Sequence, residues 1–240
     1  MELGLRDKIA LVCGASRGMG KSIAQKLAEE GAHLAIVARH KKDLIRAQKE
    51  IQGSTNAAVL AVATDLSLSK NIPRVIQKVK SHFGTVHILV NNAGGPPPGR
   101  LFEVTDRDWQ KTMDQNLKSA IVMTRGIVPL MKKQKFGRII NIASQVVKEP
   151  LPELILSNTV RAGVVAFAKS ISYELAPYNI TVNTLCPGPI LTDRLNFLIQ
   201  KKALKKSRST QSVLKELAGT IPMKRKQSSG PEILTVTPNS

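Results

Sequence analysis

Aromatic side chains are scarce in this sequence, with one Trp, two Tyr and five Phe among 240 residues. That argues against single-strand nucleic-acid binding by base stacking, which needs rings interleaved with cations. Only two cysteines occur, Cys13 and Cys186, in unrelated contexts. They define neither a disulfide framework nor a metal-ligand spacing; no metal site is expected, and two reduced thiols fit a cytoplasmic chain. No apolar run approaches the ~20 residues of a membrane span. The opening Met1-Glu2-Leu3-Gly4-Leu5 lacks the basic and apolar regions of a signal peptide, so no membrane partner is expected. Acidic residues are also few, 17 against 36 Lys and Arg, for a net charge of +19. The excess gathers at Lys41-Lys42, Lys132-Lys133-Lys135, Lys201-Lys202, Lys205-Lys206-Arg208 and Lys224-Arg225-Lys226. Solvated helix faces account for most such runs; the functional alternative is attraction to an anion, such as a phosphorylated cofactor, an acidic carrier protein or nucleic acid.

What the sequence does have is a regular alternation of strand-length apolar runs with helix-length amphipathic ones, the pattern of βαβ units. Ile9-Ala10-Leu11-Val12-Cys13 predicts a first strand, and residues 18–30 a helix ending at Gly31. Further strands are expected at 34–37, 59–63, 86–90, 138–142 and 180–185. Helices are expected at 44–52, 72–82, 105–133 and 154–177, followed by a basic, mostly helical segment over 191–219. The predicted fold is therefore α/β, one doubly wound parallel sheet of the Rossmann type, in a single domain over 1–225 with an atypical tail at 226–240.

Strand, then Gly14-Ala15-Ser16-Arg17-Gly18-Met19-Gly20, then helix is the context in which a glycine motif binds a dinucleotide. Gly14 takes the tight turn, Gly18 leaves room for the pyrophosphate, and Gly20 lets the helix approach the strands. The helix N-terminus then offers unpaired N–H groups to phosphate. An arginine after the second strand suits the 2′-phosphate of NADP, where NAD-specific sites place a carboxylate. Arg39 stands there, with Arg17 inside the turn, so NADP(H) is the expected cofactor.

The spacing Gly-x-x-x-Gly-x-Gly resembles the short-chain dehydrogenase/reductase family, most nearly its 3-oxoacyl-acyl-carrier-protein reductases, over about residues 5–225. The resemblance implies that Asp65 and Leu66 hold the adenine ring, and that Asn92, Ala93 and Gly94, in Asn91-Asn92-Ala93-Gly94, lie beside the adenosine ribose. Pro187, Gly188, Ile190 and Thr192 would contact the nicotinamide carboxamide. Asn116 would organise a proton-relay water and Ser144 would orient substrate. The substrate implied is a small or acyl-carrier-bound carbonyl compound, and a homo-oligomer is implied as well.

Two positions depart from that family. Its catalytic tyrosine lies thirteen residues beyond the serine, followed by lysine four residues on; here those places hold Ser157 and Arg161. One helical turn still puts them on the same face. An aliphatic hydroxyl is a much weaker acid than a phenol held by a lysine, so Ser157 cannot inherit the tyrosine's role. Arg161 can hold ribose hydroxyls or steady an oxyanion but cannot exchange its proton. Tyr173 lies sixteen residues along the same helix, about 24 Å away, and none of His33, His40, His82 and His87 stands at a family catalytic position.

Three readings stay open: an oxidoreductase with a variant site of Ser144, Asn116, Ser157 and Arg161; an NADP-binding sensor or inactive subunit without redox activity; and, more remotely, a nucleic-acid binder. After Ile221-Pro222-Met223-Lys224-Arg225 the family's last helix and seventh strand are not recognisable. A bare sheet edge beside the sixth strand and a weakened subunit interface are expected, unless 233–237 pairs there.

Overall fold

Five consecutive apolar residues, Ile9–Cys13, form β1, and all five are buried. A strand with no polar alternation must be covered on both faces, and the rest of the sheet supplies the reason. β1 lies between His33–Ala38 (β2) and Ile88–Asn91 (β4), parallel to both. Val59–Ala63 (β3) pairs outside β2, while Gly137–Ile142 (β5) and Ile180–Leu185 (β6) extend the sheet beyond β4. The order β3-β2-β1-β4-β5-β6 reverses direction between β1 and β4. That switch point opens a crevice at the carboxyl ends of the strands, where ligands of such sheets bind.

This computed structural model describes residues 3–219 and 227–228. They fall into two compact units, Met1–Pro187 and Gly188–Ser240. In the first, Gly18–Glu29 (α1) and Lys41–Ser54 (α2) cover one sheet face, burying Ala24, Ala28, Leu44 and Ile51 against Val12, Leu34 and Ile36. Ile72–Phe83 (α3) and Ser119–Lys133 (α5) cover the other, where Val75, Val79, Met123 and Ile127 meet Leu11, Leu89 and Ile139. Each fully buried Leu or Ile side chain stabilises such a core by roughly 1.5–3 kcal/mol.

The helix expected over 105–133 is continuous but not uniform. Asp106–Thr112 (α4) begins at a reciprocal cap: Asp108 N–H donates to Thr105 Oγ1 at 3.2 Å, and Thr105 N–H to Asp108 Oδ2 at 3.1 Å. A π-helical stretch, Met113–Lys118, then leads into α5. Its wider turns re-aim Asn116 in a way that a 3.6-residue period does not foresee. Ile155–Leu175 (α6) packs against β6 and against this stretch.

Among the described residues β6 has no outer neighbour, as expected. In the second unit Ile190–Leu191 (β7) pairs in parallel with Gln227–Ser228 (β8). Asp193–Lys205 (α7) and Thr210–Gly219 (α8) pack through Ile199, Ala203 and Val213. The boundary expected at 225/226, the 221–225 segment and the substitute strand at 233–237 lie outside the described residues. No helix among the described residues is long and apolar enough to cross a membrane.

Candidate active site

The turn after β1 is built around two glycines that tolerate no side chain. Gly14 has φ +64°, and a Cβ there would lie 2.7 Å from Asn92 Nδ2; a Cβ on Gly20 would overlap the Gly14 carbonyl. Asn92 Nδ2 donates to the carbonyls of Cys13 at 3.2 Å and Gly14 at 3.3 Å. This latch ties the turn to the end of β4 across the switch point. The Cys13 thiol is pushed up to about 12 by burial and contributes packing alone. Helix α1 starts at Gly18 with no side chain from its N-cap on the first-turn amides. A turn that only glycine fits, opening into those N–H donors, suits a dinucleotide pyrophosphate.

Around this cradle, Ser16 and Met19 are half-buried, while Arg17 and Arg39 are exposed. Ala15 N–H donates to Val37 O at 3.2 Å, which holds the turn against the end of β2, the strand that Arg39 follows. Beyond β3, Asp65 Oδ1 accepts from the Ser67 amide at 2.9 Å and hydroxyl at 2.8 Å. One carboxylate oxygen thus shapes its own turn, and Leu66 packs into the core beside it. Gly94 is exposed, and its carbonyl accepts from Gln115 Nε2 at 3.0 Å.

The other side of the crevice gathers the substituted positions. Ser144 follows β5, and its Oγ accepts from Val146 N–H at 3.4 Å. Gln145 N–H donates to Pro187 O at 2.9 Å. Ser157 is only 8 % exposed, and its hydroxyl makes no hydrogen bond among the described residues. Asn116 is 7 % exposed; Nδ2 donates to Thr112 O at 3.3 Å while Oδ1 is buried without a partner among the described residues. A buried, unmatched acceptor calls for a donor from outside the protein.

Arg161 ties the two strand ends together. The side chain is 9 % exposed, and Nη1 donates to the carbonyls of Ile142 at 2.8 Å and Ala143 at 2.9 Å. Nη2 reaches Ala93 O at 3.4 Å. One guanidinium thereby braces the carboxyl ends of β4 and β5 from α6. Sequence reasoning assigned this side chain to ribose or oxyanion and missed its main-chain role; a lone cation amid the apolar positions Leu156, Val160 and Val164 was the available signal. Also missed was a buried amide chain, in which Asn91 Nδ2 donates to Thr124 Oγ1 at 3.0 Å and to Asn141 Oδ1 at 2.9 Å. An asparagine at or next to the end of each of two apolar strands, Asn91 in β4 and Asn141 in β5, was its trace.

No tyrosine takes the missing position. Tyr173 is 70 % exposed with Lys169 over its ring, and Lys132 lies over the ring of Tyr178. His33 and His87 use Nδ1 to accept from the main-chain amides of Ala58 and Ile9. Gly188, Ile190 and Thr192 belong to the second unit, where the Thr192 hydroxyl caps α7 by accepting from Leu195 N–H at 3.4 Å.

Comparison with known proteins bears on this geometry. The family model for short chain dehydrogenase matches residues 8–203. The NADPH-dependent reductase BacG of Bacillus subtilis is 35% identical over 222 residues, covering 92% of this chain and 86% of that protein. The 3-oxoacyl-[acyl-carrier-protein] reductase FabG of Staphylococcus epidermidis is 36% identical over 192 residues, covering 80% and 79%. Among solved structures, L-sorbose reductase from Gluconobacter frateurii, complexed with NADPH and L-sorbose, superposes with a TM-score of 0.90 at 32% identity, covering 95% and 88% of the two chains.

Proposed function

The chain belongs to the short chain dehydrogenase family, and from that premise we propose that it is an NADP(H)-dependent oxidoreductase for a carbonyl–alcohol pair, working through a variant site. The observation that carries the cofactor half is the glycine cradle latched by Asn92, with Arg17 and Arg39 exposed at its flanks. Guanidinium groups pair bidentately with phosphate, which favours the 2′-phosphorylated dinucleotide. Two relatives named as NADPH-dependent or NADPH-complexed support the same choice.

When bound, the dinucleotide would supply or accept a hydride. The chain's own part is to position the carbonyl and provide for its proton. Ser144 and Ser157 offer hydroxyls to the carbonyl oxygen, and Arg161 holds the wall behind them rigid through Ile142 and Ala143. With no phenol available, the proton comes through a water donating to Asn116 Oδ1 and relayed by the serine hydroxyls. The substrate we favour is a small or acyl-carrier-bound carbonyl compound in the cytoplasm. An acidic carrier suits the +19 charge.

One observation favours a second reading, a cofactor binder without turnover. The side chain at the lysine position is engaged with three main-chain carbonyls, and losing the general acid costs about 10²–10⁴ in rate. Hydride transfer from NADPH to an acetoacetyl thioester separates the two, measured for the natural chain and for Ser157→Tyr/Arg161→Lys. Turnover by the natural chain supports the variant enzyme. Silence before the double change and turnover after it support the inactive binder. Equal weak binding of NADPH and NADH, unchanged by Arg39→Asp, would remove the NADP assignment.

A further inference from the structure

Reducing a carbonyl consumes a proton as well as a hydride, and the buried side chains narrow where that proton comes from. Every buried polar side chain among the described residues is Asn, Ser, Thr or Arg. None of these groups releases a proton near neutral pH. The buried Cys13 thiol, pushed up to about 12, is no donor either. Arg161 is the one charged group among the buried polar side chains, and a guanidinium keeps its proton. Ser157 has a complementary property. It is almost wholly buried, its hydroxyl makes no hydrogen bond among the described residues, and that oxygen is not one of the fully enclosed unpaired atoms. The small exposed part of this side chain therefore includes its oxygen, which is open to a ligand.

The cation and the open hydroxyl lie together. Ser157 and Arg161 are one helical turn apart on α6, which sets their Cβ atoms about 5–6 Å from each other. The Arg161 head reaches the carbonyl of Ala143, the residue before Ser144, at 2.9 Å. Helix α6 also packs against the turn Gln145–Val147 that follows Ser144. Ser144 Oγ accepts from Val146 N–H and keeps its own proton to donate. Two serine hydroxyls and one fixed positive charge thus stand at the end of β5. Resting on the oxidoreductase reading above, we propose that the substrate carries its own acid, a phenolic hydroxyl ortho to the reacting carbonyl. Ser157 holds that hydroxyl in the field of Arg161, while Ser144 donates to the carbonyl oxygen.

Acid strength selects this class. An aliphatic hydroxyl on the substrate is no better a donor than Ser157 itself. A carboxylic acid, ordinarily near about 4, has already lost its proton at neutral pH. A phenol, ordinarily near about 10, keeps its proton there and gives it up more readily beside a cation. In the step, the carbonyl carbon gains the hydride supplied by the dihydronicotinamide, and the C=O π pair moves to oxygen. That oxygen takes the proton of the neighbouring O–H, whose bonding pair stays behind on a phenolate. Asn116 Oδ1, buried without a partner among the described residues, accepts from a water that returns a proton to the phenolate through the serine hydroxyls. One hydride and one proton are consumed for each alcohol formed, and the phenol is regenerated.

The test compares 2′-hydroxyacetophenone with its 2′-methoxy ether, using the full-length chain. The ether keeps the carbonyl and the ring and lacks the acidic proton. With NADPH, the natural chain should reduce the hydroxy ketone with kcat/KM at least about 100-fold above the ether, the lower end of what a positioned acid contributes. Ser157→Tyr/Arg161→Lys, which moves the acid into the protein, should narrow that ratio to within about tenfold. A second measurement needs neither turnover nor a variant. Near-ultraviolet absorbance separates phenol from phenolate, and the bound hydroxy ketone should titrate at least about one pH unit below the free compound, a tenfold shift. A ratio smaller than expected in the natural chain overturns the proposal and leaves the oxidoreductase reading standing. No turnover of either ketone by the natural chain overturns both. A ratio that persists in the double variant belongs to the ketone's own reactivity and overturns the proposal. So does a hydroxy ketone that fails to bind, or that titrates when bound as it does when free.

Discussion

Replacing Arg161 by methionine tests whether one guanidinium holds two strand ends together. Methionine keeps most of the side chain's length and removes every donor. Two bonds of 2.8 Å and 2.9 Å are lost outright, and a weaker contact at 3.4 Å goes with them. Hydrogen bonds to a charged group contribute roughly 1.5–3 kcal/mol each, so the gross loss is about 3–6 kcal/mol. Burying a guanidinium also carries a desolvation cost that methionine avoids, which offsets part of that loss. The net destabilisation should be about 2–4 kcal/mol, a large share of the 5–15 kcal/mol of a typical domain. Arg161→Lys should fall between, because a single ammonium cannot span three carbonyls as a planar fork can. Urea unfolding followed by the fluorescence of the one tryptophan, Trp109, would read this as a midpoint lowered by roughly 1 M for methionine. A methionine variant with the natural midpoint would refute the brace. A lysine variant equal to the natural chain would show that the fork geometry is irrelevant.

Two further outcomes follow from titrating groups. Cys13 is buried with its thiol pushed up to about 12, so a disulfide reagent should modify at most Cys186 in the native chain and both thiols in denaturant; two reactive thiols under native conditions would contradict the packing around β1. His87 is held below its ordinary value of 6.5, first by burial and then by Lys8, and its Nδ1 accepts from Ile9 N–H. A depressed folded value means that the unfolded chain binds the proton more readily. Stability from this group is therefore fully present above about 6.5 and is lost as pH falls through the window below it. His87→Gln should flatten the thermal-stability profile there; a profile as steep as the natural one would place the effect elsewhere.

Much of this architecture is legible in sequence for one reason: apolar period and glycine placement act locally. Five apolar residues ending at Gly14, followed by Gly18 and Gly20 opening a helix, constrain the backbone wherever they occur, and β1, the turn and α1 appear as read. The capped start of α4 is likewise local, since Thr105 and Asp108 are three residues apart. The π-helical stretch at Asn116 is not. It packs against α6, some forty residues on in the chain, and a periodicity reading passes through it unaware. Asp65 shows the limit at a single residue: the family pattern points its carboxylate at a ligand, while a serine two positions on claims one oxygen for the turn.

The sequence by itself determined the parallel sheet, the place of the glycine turn, and the substitution of Ser157 and Arg161 where a tyrosine and a lysine are expected. Only the tertiary structure decided what Arg161 does. Its acceptors, Ala93, Ile142 and Ala143, lie 68, 19 and 18 residues away in the chain. They are main-chain carbonyls, to which any residue type contributes equally. A sequence records side chains, whereas a guanidinium's partners depend on which strand ends the fold brings beneath it.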